Sequence, residues 1–343
     1  MEYLPVAGNK EFITNALELA YGNDNSYLKE GCFAGVQGVG GTGAIRIGAE
    51  FLNRWYKGLE GKGGFEVMMP KPTWANHPKI FGFAGCEVGQ YSYYDYKTKS
   101  LDFDGMRKDL EDSKEGNVVL LHGCAHNPTG VDPNEEQWSE ISEIVKKKKL
   151  IPFFDLAYQG FTSGDLKKDA FAVRKFVRDG HKILLAQSFA KNFGLYSHRV
   201  ACMSVLTNTK EEADAIQSQL KILVRPMYSN PPVHGVRIVN EILKDETLKG
   251  QWEKELRGMA NRIIEMRKRL REDLEKIGSK LSWNHITDQH GMFCYSGLTE
   301  EQVEKLKKEH SVYLTSNGRI SMAGVTSKNV YYLANAIHEV TQS

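Results

Sequence analysis

The sequence predicts an α/β protein with two parts: a large domain built on a mostly parallel sheet, then a smaller α+β unit. Three observations carry this. Short apolar runs at residues 118–122, 151–154 and 183–186 have the character of buried strands, and they alternate with segments of helical period, as strands joined by crossover helices do. After Asn230-Pro231-Pro232 that alternation gives way to charged amphipathic helices over 233–243 and 251–277. Beyond them, residues 282–297 and 311–322 read as strands of the smaller unit, closed by a helix over 327–340. The helix over 251–277 is long enough to link two domains. The boundary is placed inside it near Gly258, giving 1–258 and 259–343.

Taken in order, residues 9–21 carry apolar positions at helical spacing (Phe12, Ala16, Leu19, Ala20) and stop at Gly22, a suitable C-cap. Residues 31–46, GCFAGVQGVGGTGAIR, are dense in glycine and run into a helical pattern over 44–56. Residues 65–69 read as a short strand ahead of Pro70-Lys71-Pro72-Thr73-Trp74. The strand at 118–122 enters His126-Asn127-Pro128-Thr129-Gly130, a turn-rich loop. A helix over 135–149 ends in four lysines, the ordinary place for cations at a helix C-terminus. The strand at 151–154 stops at Asp155, and a helix follows over 170–178. The strand at 183–186 then leads into QSFAKNFGLYSHR, residues 187–199.

Composition narrows the function. At 343 residues, 41% hydrophobic and 26% charged, the chain has ample material for a core. A net charge of +2 argues against nucleic acid or an anionic membrane surface as partner. Cys32, Cys86, Cys124, Cys202 and Cys294 are dispersed without C-x-x-C pairs, which suggests reduced thiols rather than a disulfide framework or a metal site. No apolar run is long enough to span a bilayer, and no signal or transit peptide is read at the start.

The chemistry concentrates just past the strand at 183–186. In α/β sheets ligands gather beyond the carboxyl ends of strands, and here stand a hydroxyl (Ser188), an amine (Lys191) and a guanidinium (Arg199). A lysine in a partly desolvated cleft loses proton affinity, and a neutral amine attacks carbonyls. Ser188 and Arg199 suit the phosphate of one carbonyl compound, pyridoxal phosphate. Asp155 suits either a helix N-cap or a counter-ion that keeps a proton on a pyridine nitrogen. Tyr158 and Asn127 suit a ring hydroxylate, although a core tyrosine and a plain turn read as well. Trp74 suits ring stacking or core packing. Ser188-Phe-Ala-Lys191 also fits S-x-x-K, but the S-D-N and K-T-G partners of that hydrolase chemistry do not occur. Gly38-Val-Gly40-Gly-Thr-Gly43 fits the dinucleotide fingerprint, with Glu60 or Glu66 near the ribose position, so a nicotinamide-dependent dehydrogenase is the rival reading. Either way, a flexible backbone at a helix N-terminus, with Thr42 beside it, offers donors to a phosphate. Arg225 in LVRPMYSNPP and Arg319 in NGRISMAG could each fork onto a carboxylate, and two such forks would select a dicarboxylate.

These residues fall in segments that resemble class I aspartate aminotransferases along essentially the whole chain: VQGVGGTGAIRIGAEFL, PKPTWANH, HGCAHNPTGVDP, FFDLAYQGF, QSFAKNFGLYSHR, RPMYSNPP and GRISMAGVT. RPMYSNPP and HITDQHGMFC look most like the mitochondrial isoenzyme, which implies the mitochondrial matrix, with the cytoplasm as the alternative. The resemblance implies the two-domain fold-type I pyridoxal-phosphate fold, in a homodimer whose active sites lie at the subunit interface. By it, Lys191 matches the Schiff-base lysine and proton shuttle, and Asp155 the pyridinium partner with His77 behind it. Tyr158 and Asn127 match the groups on the ring oxygen, and Trp74 the stacking ring. Gly41, Thr42, Ser188 and Arg199 match the phosphate cradle, joined by Tyr3 of the other subunit. Arg319 matches the clamp on the α-carboxylate, and Arg225, also from the other subunit, the clamp on the distal carboxylate. The implied activity exchanges the amino group between aspartate and 2-oxoglutarate. Two departures stand out. Gly40 replaces a serine usual in the family, so a hydroxyl donor worth about 1.5–3 kcal/mol is absent. The chain also starts several dozen residues late relative to the family, which implies either an incomplete sequence or a variant that binds cofactor with poor turnover.

Overall fold

The computed structural model describes residues 2–59 and 64–342. Glu60, one of the two acids near the ribose position, lies outside them.

The strands are β1 (Phe33–Val39), β2 (Glu66–Lys71), β3 (Glu87–Ser92), the hairpin β4 (Tyr94–Asp95) and β5 (Ser100–Leu101), β6 (Val118–His122), β7 (Ile151–Leu156), β8 (Leu184–Ser188) and β9 (Val200–Leu206). Seven of them form one sheet in the order β1-β9-β8-β7-β6-β2-β3. All neighbours run parallel except β9, which is antiparallel to both β1 and β8. Every residue of β6, β8 and β9 is buried, because helices cover both faces of a parallel sheet. The period of two sorts the side chains. Val118, Leu120, Phe153 and Leu184 cluster with Ile45 and Ala49 of the helix Gly40–Trp55 and with Leu220 of the helix Lys210–Met227. Val119, Leu121, Phe154 and Leu185 cluster on the opposite face with Ile141 of the helix Glu135–Lys147 and Phe176 of the helix Phe171–Arg178.

Local signals behave as their chemistry requires. Asn9 caps the helix Lys10–Tyr21 by accepting from Phe12 N, and the Gly22 N–H closes its other end on Glu18 O. A capping box of Asn134 and Gln137 starts the helix Glu135–Lys147. The linking helix is a single 31-residue element, Glu246–Lys276, begun by Asp245 five residues earlier than the apolar period suggests; Gly258 lies inside it.

The second unit differs from expectation. Of residues 282–297 only β10 (Phe293–Tyr295) is strand, and of 311–322 only β11 (Arg319–Ser321). Asn284–Asp288 is a short helix. Gly291, Gly297 and Gly318 take positive φ and interrupt what the apolar pattern suggests would be continuous. The helix Lys210–Met227, with Thr209 as N-cap, was also unexpected, as were β3 and β9.

One contact fastens the linking helix to the segment that follows β8. Trp252 donates its indole N–H to Asn192 O at 2.8 Å and stacks on Phe193 with ring centroids 4.3 Å apart. Trp252→Ala should cost about 3–5 kcal/mol in urea unfolding, whereas Trp252→Phe, which keeps the stack and loses the donor, should cost roughly 1–3 kcal/mol. Equal losses would show that the hydrogen bond, and not the stack, is what matters.

Candidate functional site

The sheet register decides which side chains meet. His122 is opposite Asp155, Asp155 opposite Ala186, Ser188 opposite Ala201, and Val39 opposite Val200. The C-terminal ends of β1, β6, β7 and β8 and the start of the reversed β9 therefore share one edge. A cavity lies there, as expected for an open α/β sheet. Gly41 and Thr42 reach it from the start of the helix Gly40–Trp55, and Trp74 from beyond β2. Asn127 comes from the loop after β6, and Asp155 and Tyr158 from β7 and its continuation. Ser188 ends β8, and Lys191 and Arg199 come from the segment between β8 and β9.

At one part of this cavity the groups are anion donors. The helix presents its N-terminal N–H groups and the positive end of its dipole. Gly41 passes so near Ser188 that a Cβ on it would lie 3.2 Å from the serine Cβ. Arg199, at φ 53°, accepts from Gly40 N through its carbonyl at 3.0 Å, and its Nη1 donates to Tyr196 O at 2.9 Å.

Asp155 is the centre of the electrostatics. Its side chain is 12% exposed and accepts from His77 Nε2 at 3.1 Å. Burial alone would raise its pKa. The hydrogen bond from His77, backed by the nearby Lys191, outweighs burial and leaves the carboxyl below its ordinary range. Behind His77 runs a chain of donors whose protons can be assigned in sequence. The Asn127 backbone N–H donates to His122 Nδ1 at 3.2 Å, so His122 carries its proton on Nε2 and donates it to Thr73 Oγ1 at 3.1 Å. The Thr73 hydroxyl then donates to His77 Nδ1 at 2.8 Å, which leaves His77 Nε2–H for Asp155. Burial, with His77 adding to it, drives the His122 pKa down to about 3 and keeps that ring neutral.

Lys191 lies with its Nζ 5.1 Å from the centroid of the Tyr158 ring. Burial lowers its pKa; Asp155 pulls the other way, and Arg199 adds to the lowering. Tyr158 is raised, first by burial and then by Asp155, so it stays a neutral donor. Asn127 Oδ1 accepts from Arg319 Nη1 at 3.0 Å, and the Arg319 guanidinium sits 4.3 Å from the Phe293 ring centroid. Arg319 is thus tied to a residue that lines the cavity.

Tyr3 and Arg225 are not brought to the cavity of this chain. Tyr3 is 81% exposed, and Arg225 is exposed at the end of the helix Lys210–Met227, with its Nη1 on Ser229 Oγ at 2.7 Å. Sequence reasoning missed Thr73 and His122 as site residues, and Phe293 as the face under Arg319. The dinucleotide reading fails on topology. β1 is an edge strand whose one neighbour is the antiparallel β9, so no parallel βαβ unit surrounds the glycine turn. Glu66 opens β2, exposed and well separated in the sheet order.

Phosphate donors at a helix N-terminus, an ionised carboxylate and a desolvated amine in one cavity suit a ligand with a phosphate monoester, a ring nitrogen that holds a proton, and a carbonyl. The family profile described as Aminotransferase class I and II matches residues 1–337. The chain is 54% identical over 343 residues to "Aspartate aminotransferase, mitochondrial" of Arabidopsis thaliana, covering 100% of this chain and 78% of the relative. It is 52% identical over 341 residues to the protein of the same name from Gallus gallus, covering 99% and 79%. Among solved structures, a mitochondrial aspartate aminotransferase from Trypanosoma brucei superposes with TM-score 0.96 at 46% identity, covering 99% of this chain and 88% of that one. An aromatic-amino-acid aminotransferase from Burkholderia pseudomallei, covalently bound to pyridoxal phosphate, superposes with TM-score 0.95 at 41% identity, covering 99% and 84%.

The neutral His122 has a consequence for acid stability. Between pH 6.5 and about 3 the unfolded chain takes up a proton at this residue and the folded chain does not. Stability therefore falls as pH drops through that window, by up to about 1.4 kcal/mol per unit from this group. In urea unfolding series at several pH values, His122→Asn should flatten the slope by about that amount. A slope identical to wild type would mean that His122 titrates alike in both states.

Proposed function

This chain belongs to the class I and II aminotransferases, and we propose that it moves the amino group between L-aspartate and 2-oxoglutarate, giving oxaloacetate and L-glutamate, with pyridoxal 5'-phosphate as cofactor. The observation that carries the reading is a desolvated Lys191 and an ionised Asp155 in one cavity, beside donors for a phosphate. Gly41, Thr42, Ser188 and Arg199 would hold the phosphate. Trp74 would lie against the ring, with Tyr158 and Asn127 on its oxygen. Asp155 would keep the proton on the ring nitrogen, and Lys191 would hold the carbonyl carbon. When bound, the cofactor supplies the carbonyl that takes up the amino group and the electron sink that makes the substrate Cα acidic.

The remaining work falls to side chains of this protein. Lys191 Nζ takes the proton from the substrate Cα; its lowered pKa increases the neutral fraction that can do so near neutral pH. Arg319 forks onto the α-carboxylate, its orientation held by Asn127 Oδ1 and the Phe293 face. Arg225 would fork onto the distal carboxylate from the neighbouring subunit of a homodimer, and Tyr3 would reach the phosphate in the same way. The exposure of both residues supports this assignment. Residues 1–258 form the cofactor-binding domain in this reading and 259–343 the smaller one. The names of the mitochondrial relatives support the mitochondrial matrix as its location, which imaging of a tagged full-length protein would test.

Lys191→Ala should lower turnover by at least about 10²–10⁴-fold. Borohydride treatment of the wild-type chain loaded with cofactor, followed by peptide mapping, should put the adduct on Lys191; an adduct on another lysine would refute the assignment.

Substrate choice is read from the two arginines. Arg225→Ala should reduce kcat/KM for aspartate by about a hundredfold and leave that for phenylalanine nearly unchanged, whereas Arg319→Ala should depress both. Equal losses on both substrates in Arg225→Ala would remove it from the distal clamp.

A further inference from the structure

Arg267 is a buried guanidinium for which the proposed chemistry has no use. It sits inside the linking helix Glu246–Lys276 and is 2% exposed. Among the described residues no carboxylate pairs with it, and a cation at such depth is costly unless its N–H groups are met. Backbone carbonyls meet them. Nη1 donates to Ile286 O at 2.9 Å, and Nη2 donates to Gly291 O at 2.9 Å, to Phe293 O and, at 3.4 Å, to His290 O. The carbonyls of one stretch, residues 286–293, thus converge on a single planar fork.

The contacts of that stretch lead to the cavity from two sides. His290 donates its backbone N–H at 2.6 Å to the carbonyl of Gly130, on the loop that carries Asn127. Gly291, at φ +78°, lies against the same loop: a Cβ on it would come within 2.5 Å of the Ala125 Cβ. On the other side the Phe293 ring faces the Arg319 guanidinium at 4.3 Å and meets Tyr158 edge-on, with ring centroids 6.2 Å apart. Asn127 and Phe293 are the groups that hold Arg319, and the stretch gathered by Arg267 sets the spacing between them.

We infer that Arg267 is a positioning residue for the substrate α-carboxylate: by gathering the carbonyls of residues 286–293 it fixes Phe293 against the Asn127 loop, and with it the direction in which Arg319 presents its fork. The inference rests on the proposed substrate site. Lysine is no substitute, because its three donors share one atom and cannot span carbonyls that two nitrogens reach here.

The test loads the full chain with pyridoxal 5'-phosphate and titrates it with 2-methylaspartate, following the absorbance of the bound cofactor. This analogue keeps the α-carboxylate and has no proton on Cα, so it reports binding without turnover. Arg267→Lys should bind it about tenfold more weakly than wild type, with affinity for pyridoxal 5'-phosphate changed by less than about threefold. In turnover, KM for aspartate and for phenylalanine should rise together while kcat stays within about threefold, because the α-carboxylate is held alike before and during the reaction. In an Arg319→Ala background, Arg267→Lys should cost no more than about threefold further. A residue that only stabilised the fold would act equally in both backgrounds and would not separate substrate from cofactor. Unchanged affinity for 2-methylaspartate in Arg267→Lys would overturn the inference, as would a parallel loss of cofactor affinity or equal losses in the two backgrounds. Should Arg267→Lys fail to fold, Phe293→Leu keeps its carbonyl on Arg267 and takes the ring from Arg319. It should weaken 2-methylaspartate by a similar factor, and unchanged binding would overturn the inference as well. A wild-type chain that takes up no cofactor, or takes it up and does not respond to 2-methylaspartate, would overturn the proposed function itself, an outcome distinct from the others.

Discussion

A carboxylate at the end of a buried strand stays charged only where a donor reaches it, and in this protein the N–H of His77 is that donor for Asp155. Much else leans on this bond. Without it burial would push the Asp155 carboxyl up, and the charge that offsets part of the Lys191 desolvation would be less securely held. The bond depends in turn on the His77 ring orientation, which Thr73 fixes, and Thr73 is held by His122, whose tautomer is set by a backbone N–H. A charge at the cavity is thus anchored by a relay of hydrogen bonds that ends in a backbone N–H.

How much of this the sequence disclosed depends on how directly each residue follows from a strand. Asp155 and Ser188 each end an apolar run whose identity as strand is firm, and Lys191 lies three residues past the second. Once the strands are parallel neighbours, those positions are forced together. His122 ends β6 in the same way, and the logic applied to Asp155 would have found it. Thr73 and His77 lie on a loop and a short helix, and single-sequence patterns do not say that these fold back under β7. Tyr3, and the placing of Arg225 in a neighbouring subunit, came from resemblance alone, and no pattern in one chain could supply them.

The second unit was less legible for a different reason. Apolar periodicity reports which residues are buried, and it cannot tell a strand from irregular chain pinned against a core. Ile286, Cys294 and Met322 are all buried, yet only Cys294 belongs to a strand. The helix Lys210–Met227 went unread because its first half is polar, although Thr209 and Glu212 form the start signal that should have marked it.

The reversal of β9 bears on how the protein assembles. β8 and β9 are joined by the single loop 189–199, so Ser188 and Arg199 reach one cavity through a closure that costs little chain entropy. β1 pairs with β9 across most of the large sheet's sequence, Val39 with Val200, and that closure is among the dearest in the fold. The two sides of the anion cradle are therefore made on different terms: one is local and forms cheaply, while the other arrives only when the first strand docks on the last. A ligand that touches both sides binds only the chain in which that docking is complete, and it stabilises the product of a closure of high entropic cost.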